Sequence, residues 1–280
     1  QVSREAIAAL GTAMGPGTIS AVRAVFEPDQ LALVGRVPLR AGDCAYGADD
    51  RHRLDIYGGI EGEAVPVVLF VHGGGFVQGD KRGEGGWGNA AVGRWAAESG
   101  FLGAVMNYRL APDHLWPAGS EDVGLALDWL RANAAAYGGD PARIVLAGTS
   151  AGAIHVAGLL RLRPDLPVSG LVLLSGLYGY TPLDPKDERY YGPQEDYAAR
   201  MPRDAVAGTC LPLLVACAEF DPPRFQAEFL GLMHDRLERH GAMPRAFVAT
   251  GHNHYSIAMH VGTPDRRLSD EIAAFVHDVC

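Results

Sequence analysis

Cysteine is scarce in this 280-residue sequence, and that scarcity argues against two kinds of stabilisation. The chain has four cysteines, at positions 44, 210, 217 and 280, without a Cys-x-x-Cys pair or a companion histidine at zinc spacing. Such a pattern indicates neither a disulfide framework nor a metal site. We therefore expect reduced thiols, no bound metal and no cofactor.

Positive charge and long apolar runs are also scarce. The 24 Lys and Arg residues are dispersed and outnumbered by 33 Asp and Glu, which gives a formal net charge of -9. A nucleic-acid surface needs clustered basic residues, so neither nucleic acid nor an anionic membrane is an expected partner. The longest apolar stretches, such as residues 65–71, fall far short of the roughly 20 residues that cross a bilayer. We expect a soluble, cytoplasmic protein; the start at Gln1, without an apolar signal segment, leaves open whether a leader has been removed.

Two kinds of apolar segment alternate along most of the chain. Short β-branched runs predict strands at 67–71, 101–106, 144–146, 171–174, 213–215 and 246–248. Helical periods lie between them, at 87–98, 121–135, 151–162, 225–239 and 267–279. This alternation predicts a single α/β domain over residues 1–280, with a mostly parallel sheet between two layers of helices. Residues 54–57 are expected to precede this core as an antiparallel strand, and Ser120 is the expected N-cap of the helix that follows it.

The first 45 residues raise a separate question. Apolar residues between 7 and 26 fit two short amphipathic helices, broken by Gly15-Pro16-Gly17. These helices either cover the core or fold over the active-site end as part of a small cap, together with residues 177–202.

The pentapeptide Gly148-Thr149-Ser150-Ala151-Gly152 satisfies the pattern G-x-S-x-G. A predicted strand precedes it and a predicted helix follows it, which is the order that a nucleophilic serine on a sharp turn requires. Flanking glycines remove side chains that would collide with the backbone at such a turn. The helix N-terminus also directs N–H groups toward developing negative charge. We therefore predict Ser150 as a catalytic nucleophile.

Three consecutive glycines follow the predicted strand at 67–71, in His72-Gly73-Gly74-Gly75-Phe76. Backbone N–H groups that no side chain shields can stabilise the oxygen of a tetrahedral intermediate. A nucleotide site is disfavoured, because the match of residues 83–88 to G-x-G-x-x-G does not directly follow a strand. The glycine loop is therefore predicted to form an oxyanion hole.

Together these motifs resemble the hormone-sensitive-lipase-like family of the α/β-hydrolases. The resemblance covers about residues 50–280 and also rests on Asn-Tyr-Arg-Leu-Ala-Pro-Asp-His at 107–114, with Pro-Ala at 117–118. It implies the α/β-hydrolase fold, carboxylesterase activity and an oxyanion hole made by the N–H groups of Gly74, Gly75 and Ala151. It further implies that His72 braces the glycine loop and that Arg109 forms an internal ion pair. Because relatives in this family often dimerise, a homodimer is also an open alternative.

Two features are closer to the arylformamidase and feruloyl-esterase-like relatives. They are Gly-Asp-Lys at 79–81 and Ser-Gly-Leu-Tyr at 175–178. Both leave the substrate class less defined than the reaction type.

The remaining members of a triad follow Ser150 in the order acid, then histidine. The segment Gly251-His252-Asn253-His254-Tyr255 offers two histidines, and the family spacing selects His254, with His252 as the alternative. The acid is predicted as Asp221, which precedes Pro222 at the end of a strand, with Glu219 as the fallback. His260 and His277 are expected at the surface.

The segment 177–202 carries five tyrosines without a regular period. Because α/β sheets bind ligands beyond their strand ends, we expect it to form a pocket wall. The predicted substrate contacts are Phe76, Tyr178 and Tyr255, with Trp87 as a further candidate.

These residues predict a serine carboxylesterase that hydrolyses short-to-medium-chain or aryl esters through an acyl-enzyme intermediate. A small-molecule ester is the expected partner. The alternatives are an arylformamidase-type amidase with the same triad and, more distantly, a non-catalytic hydrolase-fold receptor.

Overall fold

Eight strands form one sheet at the centre of the protein, in a computed structural model that describes residues 2–280. In chain order they are β1 (Leu39–Ala45), β2 (Arg53–Tyr57), β3 (Val65–Val71), β4 (Leu102–Met106), β5 (Gly139–Thr149), β6 (Gly170–Leu174), β7 (Leu213–Phe220) and β8 (Arg245–Asn253). Their order across the sheet is β1-β2-β4-β3-β5-β6-β7-β8. Strand β2 is antiparallel to both of its neighbours, and β3 to β8 are parallel.

Helices connect the strands and cover the sheet. They are α1 (Val2–Leu10), α2 (Pro16–Arg36), α3 (Ala90–Glu98), α4 (Ala118–Asn133), α5 (Ala151–Leu162), α6 (Glu188–Tyr191), α7 (Tyr197–Arg200), α8 (Arg203–Gly208), α9 (Pro223–His240), α10 (Ser256–Met259) and α11 (Arg267–Val279). Short 3-10 turns occur at Glu84–Gly86, Ala134–Tyr137, Pro185–Asp187 and Gln194–Asp196. Within the described residues, no helix combines the length and the apolar character needed to span a membrane.

Strand β3 shows why the central strands are continuously apolar. Val67, Leu69 and Val71 pack into one buried cluster with residues of α4 and α5, whereas Val68 and Phe70 belong to a second cluster with residues of α3 and α11. Successive side chains of a strand point to opposite faces, so both faces of β3 lie in a core. The predicted α/β fold, with helices on both faces of a mostly parallel sheet, is confirmed.

One strand was missed and two local predictions were wrong. Strand β1 was not predicted, because most of its side chains are exposed and it pairs only with β2. Helix α4 begins at Ala118, after Pro117, and buries Ser120 in its first turn, where it is not an N-cap. Helix α2 is 21 residues long and continues through Pro28, whereas the sequence predicted a short helix.

The two N-terminal helices pack near the carboxyl ends of β7 and β8. Ile7, Val22 and Phe26 form a small buried cluster, against which Phe220 and Tyr255 pack. The turn between the helices is also attached here, since the Gly15 N–H donates to the Tyr255 hydroxyl over 2.9 Å. The N-terminal segment therefore contacts the residue that follows His254.

Candidate active site

Ser150 occupies a strained turn between β5 and α5. Its φ and ψ are 52° and -121°, a conformation that costs a non-glycine residue about 1–3 kcal/mol. The flanking glycines permit the turn: a Cβ atom on Gly152 would lie 1.9 Å from the Val71 carbonyl oxygen, and one on Gly148 would lie 2.5 Å from the Gly152 backbone. The tight packing of strand, turn and helix thus presents the Ser150 hydroxyl at the end of the sheet.

The structure brings Ser150, His254 and Asp221 into one hydrogen-bonded chain. His254 Nε2 lies 3.0 Å from Ser150 Oγ, and His254 Nδ1 lies 2.7 Å from Asp221 Oδ1. Asp221 is fully buried and His254 is 4% exposed, while Ser150 is partly open to solvent. When Nδ1–H donates to the carboxylate, Nε2 is free to accept the Ser150 proton. The arrangement has the geometry of a nucleophile, a general base and an orienting acid.

The second oxygen of Asp221 is also saturated. Asp221 Oδ2 accepts hydrogen bonds from the Ala218 N–H and from the Ser175 hydroxyl, each over 2.7 Å. Ser175 is buried and has a φ of 48°. No role was predicted for Ser175 from the sequence, although its place directly after β6, at the sheet end that carries Ser150, was a usable signal.

The glycine loop approaches Ser150 closely because it lacks side chains. A Cβ atom on Gly73 would lie 3.3 Å from Ser150 Cβ, and one on Gly74 would lie 1.9 Å from the Gln78 carbonyl oxygen. Gly74 and Gly75 have φ values of 128° and 59°. Outside the regular helix and strand ladders of residues 2–280, no acceptor receives the N–H groups of Gly74, Gly75 or Ala151. These three donors remain available for an oxyanion.

His72 and Tyr108 hold the base of the glycine loop. The His72 ring stacks on the Tyr108 ring at a centroid distance of 4.5 Å, and its Nδ1 lies 2.6 Å from the Gly73 carbonyl oxygen. The Tyr108 hydroxyl donates to the His72 carbonyl oxygen over 2.9 Å. Burial lowers the pKa of His72 to about 4, so the ring is neutral at physiological pH and Nδ1–H donates to Gly73.

Aromatic rings of the segment 177–202 pack against the far end of the glycine loop. Phe76 and Tyr190 stack in parallel at 4.5 Å, and the Tyr191 ring meets Phe76 edge-on at 5.7 Å. The Tyr190 hydroxyl lies 3.3 Å from Nδ1 of His155, a buried residue of α5. The tyrosines at 190, 191 and 197 are at most 8% exposed. They form the interior of this small cap, and their rings offer little surface to a substrate.

A buried carboxylate fixes where the cap segment begins. Glu228 of α9 is fully buried and accepts the backbone N–H groups of Tyr178, Gly179, Tyr180 and Thr181. It also accepts the Thr181 hydroxyl over 2.6 Å. These five donors offset the desolvation cost of burying the Glu228 carboxylate. The anchor explains why residues 178–181 turn away from the end of β6.

The predicted substrate contacts do not all reach the site. Tyr178 is 1% exposed and belongs to the main core, because its backbone is tied to Glu228. Phe76, 3% exposed, is covered by Tyr190. Trp87 is 1% exposed, and its indole ring lies 5.9 Å from the Arg23 guanidinium of α2.

Two aromatic rings do lie beside the catalytic imidazole. Tyr255 is partly exposed, with its ring 5.7 Å from that of His254. Phe225 is closer, at 4.1 Å, and is also partly exposed. Phe225 was not predicted from the sequence, although its position four residues after Asp221, in the turn that begins α9, was a signal.

The other candidates occupy supporting positions. His252 contacts Ser256 and Asp265, and Glu219 accepts the Gly251 N–H over 2.6 Å. The prediction that His260 lies at the surface was wrong, since it is fully buried, whereas His277 is exposed.

Arg109 directly follows Tyr108, one of the two residues that hold the glycine loop. It forms an ion pair with the buried Asp122, over 2.7 Å. The carboxylate of Asp122 thereby has a cationic partner inside the protein.

The fold and this site define the class: the chain is an α/β-hydrolase with an elbow serine, a histidine and an aspartate at the end of its sheet. Comparisons with known proteins agree. The BD-FAE family model matches residues 54–166. Esterase LipC of Mycobacterium tuberculosis is 32% identical over 167 residues, which are 54% of this chain and 40% of that protein.

A second curated relative and two solved structures extend the likeness. A probable isoprenylcysteine alpha-carbonyl methylesterase of Oryza sativa is 41% identical over 126 residues, 45% of this chain and 28% of that protein. The Pyrobaculum calidifontis esterase has a TM-score of 0.69 at 26% identity, covering 100% of this chain and 99% of that one. The carboxylesterase EstE1, from a metagenomic library, has a TM-score of 0.69 at 22% identity, covering 92% and 96%.

Within the α/β-hydrolases, these likenesses support the resemblance of the chain to the hormone-sensitive-lipase-like carboxylesterases. The matched segment spans 28% to 40% of the length of the curated relatives described above.

Proposed function

We propose that this chain is a serine carboxylesterase acting on small esters with apolar or aryl groups. The observation that carries the proposal is the continuous chain from Ser150 Oγ through the His254 ring to Asp221, with distances of 3.0 and 2.7 Å. Three free N–H groups, from Gly74, Gly75 and Ala151, support an oxyanion hole beside it. The partly exposed rings of Phe225 and Tyr255 support an apolar substrate group next to the imidazole.

The proposed reaction has two acyl-transfer steps. His254 Nε2 takes the proton of Ser150 as Oγ attacks the ester carbonyl carbon, and the N–H groups of the glycine loop and Ala151 bind the oxyanion. The same proton then passes to the leaving alkoxide, which departs as an alcohol and leaves an acyl group on Ser150. His254 next activates a water molecule, which releases the carboxylic acid. Asp221 orients the imidazole and stabilises its protonated form in both steps.

The test is a series of p-nitrophenyl esters of increasing acyl length, hydrolysed by the wild type and by Ser150→Ala. We expect hydrolysis by the wild type and a loss of more than about a thousandfold in the variant. Ser99→Ala, at the partly exposed end of α3, is the matched control and should retain activity. A fluorophosphonate probe should label Ser150 in the wild type and fail to label Ser150→Ala.

Two outcomes would count against the proposal. Equal hydrolysis by wild type and Ser150→Ala would remove Ser150 from the reaction. Faster turnover of an N-formyl aryl amine than of every ester would favour an amidase with the same triad.

A further inference from the structure

A second cluster of polar side chains lies behind the loop that carries His254. It consists of His252 at the end of β8, His260 after α10 and Asp265 before α11, each offering one ligand atom within 4.8 Å of the others. In the described chain, none of the three hydrogen-bonds to Ser150, His254 or Asp221. The relay that we propose for catalysis therefore leaves this cluster unused.

The two imidazoles share one supporting residue. His260 Nδ1 lies 2.7 Å from the Ser256 carbonyl oxygen, and His252 Nδ1 lies 3.1 Å from the Ser256 hydroxyl. Because Nδ1–H of His260 donates to a carbonyl, its lone pair is on Nε2. In a metal-ligating histidine, the ring nitrogen that does not bind the metal usually donates a hydrogen bond to a carboxylate, a backbone carbonyl or water, and Nδ1 of His260 does so here.

His260 has a free acceptor that the rest of the protein does not explain. The residue is 0% exposed, and its Nε2 atom has no hydrogen-bond partner in the described part of the chain. A buried polar atom without a partner is costly, so it points to a group that binds there. The spacing of the other two atoms agrees, since His252 Nε2 and Asp265 Oδ2 are 3.3 Å apart. In a tetrahedral site with bonds of about 2.0–2.1 Å, neighbouring ligand atoms are about 3.3 Å apart.

We infer that His252, His260 and Asp265 form a site for a divalent transition metal of the zinc type. Two imidazole nitrogens and one carboxylate oxygen suit Zn²⁺, with a water molecule in the fourth position. The ion would enter from the side of Asp265, whose side chain is 31% exposed. Bound there, the ion would join the loop that carries His254 to the segment before α11. Its role is structural and independent of the proposed esterase activity.

Three existing contacts oppose the ion. His252 Nε2 donates a hydrogen bond to Asp265 Oδ2 over 3.3 Å, so it must lose this proton before it can bind a metal. The rings of His252 and His260 are stacked at 3.6 Å with 20° between their planes, so they must tilt apart for both lone pairs to converge. Arg267 also pairs with Asp265 over 2.6 Å and supplies a competing positive charge. The half-exposed Arg267 side chain also donates to the hydroxyl and carbonyl oxygens of Thr250 over 2.8 and 3.0 Å, and these bonds must break if it moves into solvent.

The experiment is a titration of the chelator-treated 280-residue chain with Zn²⁺ by calorimetry and with Co²⁺ by visible absorption. We expect one ion per chain and the absorption bands of tetrahedral cobalt. At a Zn²⁺ concentration of 100 times the Kd, the Tm should rise by about 5 °C. The same result is expected in Ser150→Ala, so failure of the metal site is distinguishable from failure of the proposed catalysis.

Four variants test the site: two change a proposed ligand, one is a control and one removes the competing cation. His260→Gln and Asp265→Asn should each weaken Zn²⁺ binding at least about tenfold, and His234→Gln, on the exposed face of α9, should not change it. Arg267→Gln should tighten binding, because it removes the competing cation while keeping all three ligands. If His260→Gln fails to fold, the two partly exposed positions, Asp265 and Arg267, still decide the matter. Absence of binding, unchanged affinity in Asp265→Asn, or weaker affinity in Arg267→Gln would overturn the inference.

Discussion

The glycine loop and the acid–base loops reach Ser150 from different strands, and they are held by different forces. Around the glycine loop, rings stack: His72 lies on Tyr108 and Phe76 on Tyr190, each at 4.5 Å. Around Asp221, hydrogen bonds dominate, and both of its carboxylate oxygens are occupied. One side of the site is fixed by shape and the other by directed polar contacts. Changes of shape should therefore damage the first side most, and loss of polar atoms the second.

In the described chain, buried side-chain atoms without a hydrogen-bond partner occur on both sides of the site, and near His254 they include Asn253 Nδ2 and His260 Nε2. His72 Nε2 and His155 Nε2, both on the aromatic side, have no hydrogen-bond partner among residues 2–280. Both rings are nevertheless buried. The packing of the aromatic side outweighs the free-energy cost of burying these two nitrogens without a hydrogen bond.

The strongest test of the shape-dependent side is Gly74→Ala. The new Cβ atom would meet the Gln78 carbonyl oxygen at 1.9 Å, and the φ of 128° is strained for alanine. The loop must move, which takes its N–H groups away from the oxyanion. We expect kcat/KM for a p-nitrophenyl ester to fall about 10²- to 10³-fold, the effect of losing one oxyanion donor.

Gly75→Ala is the matched comparison in the same loop. Its φ of 59° is also left-handed, but a Cβ atom there meets nothing within 4 Å. The loss should be smaller, about tenfold or less, from backbone strain alone. Equal losses in the two variants would show that strain, and not the approach to Gln78, controls the loop.

Low pH should weaken the aromatic side through its buried histidines. Burial lowers the pKa of His155 to about 3, against 6.5 for an exposed histidine. Below pH 6.5 the unfolded chain therefore binds a proton that folded His155 rejects, and the free energy of unfolding decreases as pH falls. Between pH 7.5 and 5 this residue alone should remove about 2 kcal/mol. Urea unfolding at the two pH values measures the change.

His155→Gln isolates this contribution. The variant should be less stable than the wild type at pH 7.5, because Gly119 packs directly on the His155 ring. As pH falls to 5, the difference in unfolding free energy should narrow by about 2 kcal/mol, since glutamine has no proton to gain. A difference that stays constant would mean that the pKa of His155 is the same in the folded and unfolded protein.

The sequence could predict features that depend on neighbouring residues, but not contacts between residues that are distant in the chain. Motifs with a fixed local geometry, such as the pentapeptide around Ser150 and the three glycines after β3, were located because their function depends on neighbouring residues. Alternating strands and helices likewise predicted the α/β fold. Phe225 and Ser175 were missed because their proximity to His254 and Asp221 depends on which strands are adjacent in the sheet.

The tyrosine-rich segment shows a second limit of sequence reasoning. It was predicted to form a pocket wall, because it follows a strand at the sheet end where α/β proteins bind ligands. The burial of its tyrosines results from two long-range contacts that no local pattern reveals: Glu228 binding the backbone of residues 178–181 and Tyr190 stacking on Phe76. A carboxylate 50 residues away in sequence thus decides where the segment lies.

The polar side is tested most gently by Ser175→Ala, which removes one of the three hydrogen bonds to Asp221. The carboxylate keeps His254 and the Ala218 N–H, so its position should loosen without being lost. We expect kcat to fall about tenfold, equivalent to about 1.4 kcal/mol, which is close to the lower limit of about 1.5 kcal/mol for a hydrogen bond to a charged group. Because Ser175 is buried behind Asp221 and does not contact the Ser150 hydroxyl, KM should be unchanged.

Ser175→Gly removes the same hydroxyl and also relieves the φ of 48°, so equal losses in the two variants assign the effect to the hydrogen bond. If kcat stayed within twofold of the wild type in both, Asp221 would be held by its backbone contact alone, and the polar side would tolerate loss of a directed contact as readily as the aromatic side does.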